Sequence, residues 1–118
     1  LTIFGNDYKT KDGTCIRDYI HIEDLVEGHI SAIKFVKQNK GFQSINLGTG
    51  KGYSVLEVVK TFENIFKRKI KIKYASRRRG DVPTSFANSD KAKKLLKWKT
   101  KYNLKSMCES FCRWQKLE

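Results

Sequence analysis

The chain has 118 residues and a mass of 13.7 kDa, which allows one hydrophobic core and is too short for two ordinary domains. It carries 25 Lys and Arg against 12 Asp and Glu, a net charge of +13, so a nucleic acid is one hypothesis for its partner. However, the lysines of residues 91–101 lie between apolar residues, which favours an ordinary solvated surface. No segment contains the roughly 20 apolar residues that span a bilayer, so we expect no membrane anchor.

The chain begins with Leu1, and the segment LTIF has the pattern of a strand already under way, so we expect the sequence to start within a longer protein. The first residues lack the charged and apolar regions of a signal peptide. Three cysteines are an odd number and do not make a disulfide framework, which favours a reducing, cytoplasmic setting. Cys108 and Cys112 are four residues apart, but no second pair completes a metal site, so none is expected.

In chain order, residues 1–4 and 15–20 are predicted strands, joined by the turn-rich loop GNDYKTKDGT. From His21 the apolar residues recur at helical spacing, and the predicted helix ends at Lys40 and Gly41. This apolar stripe consists of Ile22, Leu25, Val26, Ile30 and Ile33. His29 lies on the stripe and is expected to be a hydrogen-bonded core histidine.

Residues 43–47, QSINL, predict a short strand that leads into the glycine run GTGKG. The next helix covers residues 55–66, and Ser54 and Glu57 have the spacing of a capping box at its start. Residues 69–75 alternate lysine with apolar residues, as in a strand with one packed face. Two further helices are predicted around residues 92–96 and 104–114. Strands that alternate with helices indicate an α/β protein.

The glycine run could bind a dinucleotide, because a strand, a glycine loop and a helix N-terminus together suit a pyrophosphate. The spacing argues against this function, since the pattern G-x-G-x-x-G requires glycine where Tyr53 stands. A tight strand-to-helix connection is the better interpretation. The chain also contains no Tyr-x-x-x-Lys sequence, so we assign it neither catalytic residues nor cofactor-binding residues.

Arginine is the residue type that most strongly suggests a ligand. Arg17 lies within a predicted strand and offers a planar fork that matches phosphate oxygens. The segment SRRRGDVPTSFA adds three adjacent arginines, which alternate faces in an extended chain, so we expect one of them to bind the ligand. The following Gly80 and Asp81 permit a turn that brings a carboxylate nearby. A cation and an acid suit a sugar nucleotide, and a solvated basic loop is the alternative.

Several segments, read in order, carry a resemblance to one family: FGNDY with DGT, RDYIH, NLGTG with YSV, and RRRGDV. RDYIH alone would mark only a wider superfamily, but with the other segments nearly all 118 residues resemble the C-terminal part of the UDP-glucose 4-epimerases, also called UDP-galactose 4-epimerases. Residues 1–118 are accordingly assigned to their UDP-sugar-binding region. These enzymes belong to the extended short-chain dehydrogenase/reductase superfamily. The resemblance implies an α/β substrate-binding lobe with elements that pack on an N-terminal Rossmann lobe, which is missing from this chain.

The resemblance also implies a function. In such enzymes the N-terminal lobe holds NAD and the catalytic Tyr and Lys, so this chain alone is expected to be inactive. The complete enzyme, expected to be a homodimer, would interconvert UDP-glucose and UDP-galactose by transient oxidation at sugar C4 in galactose metabolism. The alternatives are another nucleotide-sugar enzyme, such as a dehydratase or a UDP-glucuronate epimerase, and less favourably a nucleic-acid-binding module.

Residue by residue, the resemblance implies that Thr2, Ile3 and Phe4 form a strand along the uracil. It implies that Arg17 and Arg78 bind the diphosphate and that Asp81 contacts the ribose, while Arg77 and Arg79 face elsewhere.

Two residues depart from the family pattern. Cys15 stands where these enzymes usually have glycine, which affects the backbone path before Arg17. Ser85 stands where many bacterial members have tyrosine and animal-type members have cysteine. The small Ser85 side chain leaves room for an N-acetyl group at sugar C2, so we predict that the complete enzyme also accepts UDP-N-acetylglucosamine and UDP-N-acetylgalactosamine.

Overall fold

The computed structural model describes residues 1–116 and contains short strands and longer helices, which confirms the α/β class. The strands are β1 (Thr2–Phe4), β2 (Ile16–Arg17), β3 (Tyr53–Ser54), β4 (Lys73–Ala75) and β5 (Thr84–Ser85). The helices are α1 (Ile22–Gln38), α2 (Val55–Phe66), α3 (Asp90–Leu96) and α4 (Leu104–Trp114). None of the helices in this part of the chain is long and apolar enough to cross a membrane.

The strands form two small sheets. In the first, β1 pairs in parallel with β4, so that Phe4 lies opposite Ala75. In the second, β2 lies in the middle, antiparallel to β3 and parallel to β5. Arg17 therefore has Tyr53 on one side and Ser85 on the other. The second sheet fixes the position of Arg17 relative to Ser85.

The predicted strands are longer than the observed ones. The strand predicted over 15–20 is reduced to Ile16–Arg17, and the one predicted over 69–75 to Lys73–Ala75. The strand predicted over 43–47 is wrong for residues 1–116, where this segment has no ladder partner. A strand requires a neighbouring backbone to hydrogen-bond with, and here Ile45 and Leu47 only pack against the core.

Helix α1 begins where the sequence predicts, since the ring of His21 accepts a hydrogen bond from the backbone N–H of Glu23. The prediction that His29 lies in the core is wrong, because its side chain is exposed and its Nδ1 bonds the carbonyl oxygen of Leu25 at 2.8 Å. The reason is that α1 turns its opposite face, with Gly28 close to Leu47, towards the core. The apolar stripe is thus left open among residues 1–116.

The core lies between α1 and α3. Ala92, Leu96 and Trp98 are buried, and Ile20, Ala32, Phe35, Ile45 and Leu47 pack against them. The fully buried Asp24 accepts hydrogen bonds from the backbone N–H groups of Lys101 and Tyr102 at 3.0–3.1 Å. Asp24 therefore holds the segment that leads into α4, a role that its position near the start of α1 does not reveal.

Helices α2 and α4 pack against each other through Phe62 and Phe111, whose ring centroids are 5.5 Å apart. The capping box of Ser54 and Glu57 is present, as the sequence predicts. Cys108 and Cys112 lie buried on α4 as free thiols, and burial raises the pKa of Cys108 to about 11. No group of three or more His, Cys, Asp or Glu side chains within residues 1–116 has the arrangement of a metal site.

Candidate ligand-binding site

The site is built around Arg17 in β2, whose guanidinium is fixed by the chain itself. Its NH1 donates hydrogen bonds to the carbonyl oxygens of Ile16 and Val82, at 2.8 and 2.9 Å. Its NH2 lies 3.5 Å from Oδ1 of Asp81, and 29% of the side chain is exposed. A guanidinium held in this way is pre-organised, and its remaining N–H groups are available to an anion.

Arg78 approaches the same carboxylate from the other side. Its Nε donates to Oδ2 of Asp81 at 3.0 Å, and its guanidinium carbon lies 4.9 Å from the ring centroid of Phe4. The side chain is 64% exposed. The two terminal nitrogens of Arg78 have no hydrogen-bond acceptor among residues 1–116, so they can form a fork with a phosphate.

Asp81 reaches both arginines because of the turn before it. The backbone N–H of Asp81 donates to the carbonyl oxygen of Arg78 at 3.2 Å, and Gly80 has φ of +88°, a conformation that favours glycine. Two guanidinium groups and one carboxylate leave one net positive charge. The structure thus brings together three of the predicted site residues, and we call Arg17, Arg78 and Asp81 the arginine–aspartate cluster.

Strand β1 borders the cluster. Ile3 is buried, whereas Thr2 and Phe4 are exposed, as expected for alternating faces of a strand. One edge of β1 pairs with β4, and within residues 1–116 no strand pairs with its other edge. That edge offers unpaired backbone donors and acceptors beside Phe4 and Arg78.

Ser85 is exposed and lies opposite Arg17 in the ladder between β2 and β5. Its carbonyl oxygen accepts a hydrogen bond of 3.1 Å from the backbone N–H of Asp18. Of the site residues that the resemblance implies, Ser85 is thus the one that pairs with Arg17 across the sheet.

Arg77 has a different partner from Arg78. It donates to the carboxylate and the carbonyl oxygen of Asp7, at 2.7 and 2.6 Å, and its guanidinium carbon lies 4.3 Å from the ring centroid of Tyr8. This hydrogen bond lowers the pKa of the Asp7 carboxyl. Arg79 is exposed and forms no ion pair among residues 1–116. The three adjacent arginines therefore do not act as one patch.

Sequence reasoning missed the part played by Asp18. Its carboxylate accepts hydrogen bonds from the backbone N–H groups of Thr49, Gly50 and Ala87, at 3.0, 3.0 and 3.1 Å. The glycine run therefore binds an anion of its own chain. Gly48 is required there, because a Cβ atom would lie 2.6 Å from Oδ2 of Asp18. An acid that directly follows Arg17 was the available signal, but its partners are 31 to 69 residues away.

Comparison with known proteins finds that the chain is similar to part of several nucleotide-sugar enzymes. The profile of the GDP-mannose 4,6-dehydratase family matches residues 2–111. The UDP-glucose 4-epimerase of Bacillus subtilis is 51% identical over 115 residues, which are 98% of this chain and 34% of that protein. The UDP-glucose 4-epimerase of Bifidobacterium longum, solved with NAD+ and UDP, is 42% identical with a TM-score of 0.92 and covers 98% of this chain and 34% of its own.

A third relative has an activity that the sequence analysis gave as an alternative, that of a UDP-glucuronate epimerase. The UDP-glucuronic acid 4-epimerase of Bacillus cereus has a TM-score of 0.83 at 28% identity and covers 98% of this chain and 35% of its own. The chain spans about a third of the length of the curated relatives that it matches. The predicted resemblance to UDP-glucose 4-epimerases is confirmed, and the architecture is that of the C-terminal part of extended short-chain epimerases.

Proposed function

The chain belongs to the GDP-mannose 4,6-dehydratase family, and on this premise we propose that it is the UDP-sugar-binding part of a UDP-glucose 4-epimerase. The complete enzyme interconverts UDP-glucose and UDP-galactose. The observation that carries the proposal is the arginine–aspartate cluster, in which one carboxylate orients two guanidinium groups. The greater identity with UDP-glucose 4-epimerases than with the UDP-glucuronic acid 4-epimerase favours this activity over the latter.

In this proposal the cluster binds the diphosphate. Arg17 and Arg78 each present N–H groups that are free of protein acceptors among residues 1–116, and a guanidinium matches two phosphate oxygens at once. Asp81 remains an acceptor after it has oriented both arginines, because a carboxylate has about four lone-pair sites. A ribose hydroxyl is a suitable donor to it. A charged cluster of this composition selects a diphosphate that is attached to a sugar.

The open edge of β1 provides a site for the uracil in the same proposal. Uracil is a planar ring with donors and acceptors on its edge, which backbone groups of Thr2, Ile3 and Phe4 can match. The guanidinium of Arg78 already lies over the Phe4 ring, so β1 and the diphosphate clamp are adjacent. The nucleotide then has one continuous path from β1 to Arg17.

We further propose that Ser85 decides which sugars fit. In this proposal Ser85 lies beside Arg17, where the sugar would extend beyond the diphosphate, and its exposed side chain is small. A substituent at sugar C2 that a tyrosine would exclude is therefore tolerated. On this basis the complete enzyme accepts UDP-N-acetylglucosamine and UDP-N-acetylgalactosamine as well.

The glycine-rich loop does not fit the pyrophosphate of NAD, because the N–H groups of Thr49 and Gly50 already bind Asp18. We propose that a region outside this chain holds NAD and the catalytic groups, so that the chain alone is inactive. We also propose that the complete enzyme is cytoplasmic, because the free thiols suit a reducing compartment. A homodimer is the assembly that we propose for it.

A hybrid enzyme tests this function. Residues 2–116 replace the matching third of the Bacillus subtilis UDP-glucose 4-epimerase, and the product is assayed with UDP-galactose. A second hybrid with the corresponding segment of the Bifidobacterium longum enzyme controls for the junction. We expect both hybrids to form UDP-glucose, and the isolated chain to form none. An inactive first hybrid beside an active second one would contradict the proposal.

A further inference from the structure

Asp18 connects three segments that are far apart in the sequence. It directly follows Arg17, its carboxylate bonds Thr49 and Gly50 in the glycine-rich loop, and it also bonds Ala87 just beyond β5. The hydroxyl of Thr49 adds a hydrogen bond of 2.5 Å to Oδ1. With its backbone N–H on the carbonyl oxygen of Ser85, Asp18 joins the strand of the diphosphate clamp to the strand of the sugar position.

The two oxygens of this carboxylate serve different neighbours. Oδ1 binds Thr49, whereas Oδ2 binds both Gly50 and Ala87. Because hydrogen bonds to an ionised acceptor are about twice as strong as neutral ones, the loop and the end of β5 are held in one arrangement. β5 itself is only two residues long, so its ladder alone constrains Ser85 weakly.

We infer that Asp18 is a positioning residue, which fixes Ser85 relative to Arg17 and thereby aligns the sugar once the diphosphate is bound. This inference rests on the proposed function. Asp18 does not touch the ligand in this account, and it acts through β5 and the glycine-rich loop. Its loss should therefore affect turnover and sugar selection more than the affinity for UDP, which Arg17, Arg78 and Asp81 provide.

The test uses the hybrid enzyme with Asp18→Asn, in which the amide keeps the size but turns a donor towards backbone N–H groups. Asp90→Asn is the matched control, because Asp90 is an exposed acid on α3. We measure kcat and KM for UDP-galactose and the inhibition constant of UDP. We expect Asp18→Asn to lower kcat at least about tenfold and to change the UDP inhibition constant less than about twofold.

A second pair of variants covers the case in which Asp18→Asn does not fold. Thr49→Val removes the hydroxyl bond to Asp18 together with two hydroxyl bonds to the backbone of Lys51, and Thr49→Ser keeps all three. We expect Thr49→Val to lower kcat about threefold without weakening UDP binding, and Thr49→Ser to restore the activity. Unchanged kcat in both Asp18→Asn and Thr49→Val, or an equal loss of kcat and UDP affinity in the folded variants, would overturn the inference.

The experiments distinguish a wrong proposed function from a wrong role of Asp18. If the unsubstituted hybrid is inactive while the junction control is active, the proposed function is wrong and the role of Asp18 falls with it. If the unsubstituted hybrid is active and both Asp18→Asn and Thr49→Val keep its kcat, the proposed function stands and the positioning role is wrong.

Discussion

Arg78 and Asp81 form an ion pair across a turn, in which Nε of Arg78 lies 3.0 Å from Oδ2 of Asp81. An exposed pair of this kind stabilises a fold by only about 0–1 kcal/mol. The pair also fixes the orientation of the Arg78 guanidinium, whose two terminal nitrogens have no hydrogen-bond acceptor within residues 1–116. With Arg17 at the other oxygen, Asp81 orients both guanidinium groups of the proposed diphosphate clamp.

Arg78→Ala should weaken UDP binding about ten- to a hundredfold. Hydrogen bonds to charged groups are each worth about 1.5–3 kcal/mol, and 1.4 kcal/mol corresponds to a factor of ten. The matched control is Arg79→Ala, which removes the same charge from the next residue, where no ion pair is formed among residues 1–116. The dissociation constant of UDP is measured for each variant by isothermal titration calorimetry. Equal losses in the two variants would indicate general electrostatics and contradict the clamp.

Ser85→Tyr should abolish the activity with UDP-N-acetylgalactosamine and preserve that with UDP-galactose. The larger side chain would occupy the space of the N-acetyl group beside Arg17. The assay is turnover of both substrates by the hybrid enzyme. Thr84→Tyr is the control, because adjacent residues of β5 point to opposite faces. Loss of both activities, or of neither, in Ser85→Tyr would show that Ser85 does not select the sugar.

The stability of the chain should decrease with acid in a way that depends on Asp12. Burial raises the pKa of the Asp12 carboxyl, but hydrogen bonds from Ser54 and Thr14 outweigh this effect, and the net pKa is lowered. A depressed folded pKa contributes stability above the unfolded value, about 3.9, which is lost as the pH falls through the folded pKa.

Thermal unfolding between pH 7 and pH 2 measures this contribution. We expect Asp12→Asn to lower the melting temperature at pH 7 and to have a flatter pH dependence below about pH 4 than the unsubstituted chain. Asp90→Asn should keep the original dependence, since within residues 1–116 the carboxylate of Asp90 pairs only with the exposed Lys93. A pH dependence that is identical in the unsubstituted chain and in Asp12→Asn would disprove the role of Asp12.

The exposed apolar stripe of α1 should make the isolated chain self-associate. Ile22, Ile33 and Val36 are 65%, 56% and 61% exposed, which is a continuous apolar surface rather than scattered residues. In sedimentation velocity, Ile30→Lys should shift the chain towards monomer. Phe42→Lys replaces an apolar residue that is 90% exposed outside this helix, and it should have little effect. If the unsubstituted chain is monomeric, the stripe does not drive self-association.

The helices were predictable because their signals are local. The capping box of Ser54 and Glu57, the N-cap of His21 and the apolar spacing of α2 and α4 all lie within a few residues of the elements that they define. The arginine–aspartate cluster was predictable for a related reason, since Arg78 and Asp81 are separated by one glycine turn. The resemblance to a family then singled out Arg78, the arginine that shares Asp81 with Arg17 in the structure.

The predictions that were wrong or missing concern contacts between segments that are far apart in the sequence. His29 and the segment 43–47 have apolar patterns that imply burial or pairing, yet within residues 1–116 nothing covers the former or pairs with the latter. Asp18 and Asp24 bind backbone groups 31 to 78 residues away, and a short motif contains no information on such partners. Local patterns therefore predicted the residues of the arginine–aspartate cluster, but not the residues that hold its surroundings in place.

Titration of UDP into the 15N-labelled chain is the most direct test of the proposed site. We expect saturable chemical-shift changes in β1 and at Arg17, Arg78 and Asp81, and their loss in Arg17→Ala combined with Arg78→Ala. A DNA duplex should not compete, whereas a nucleic-acid-binding module would bind it with a salt slope of about −0.9 per phosphate contacted. Shift changes confined to the lysines of residues 91–101, or none at millimolar UDP, would contradict the account.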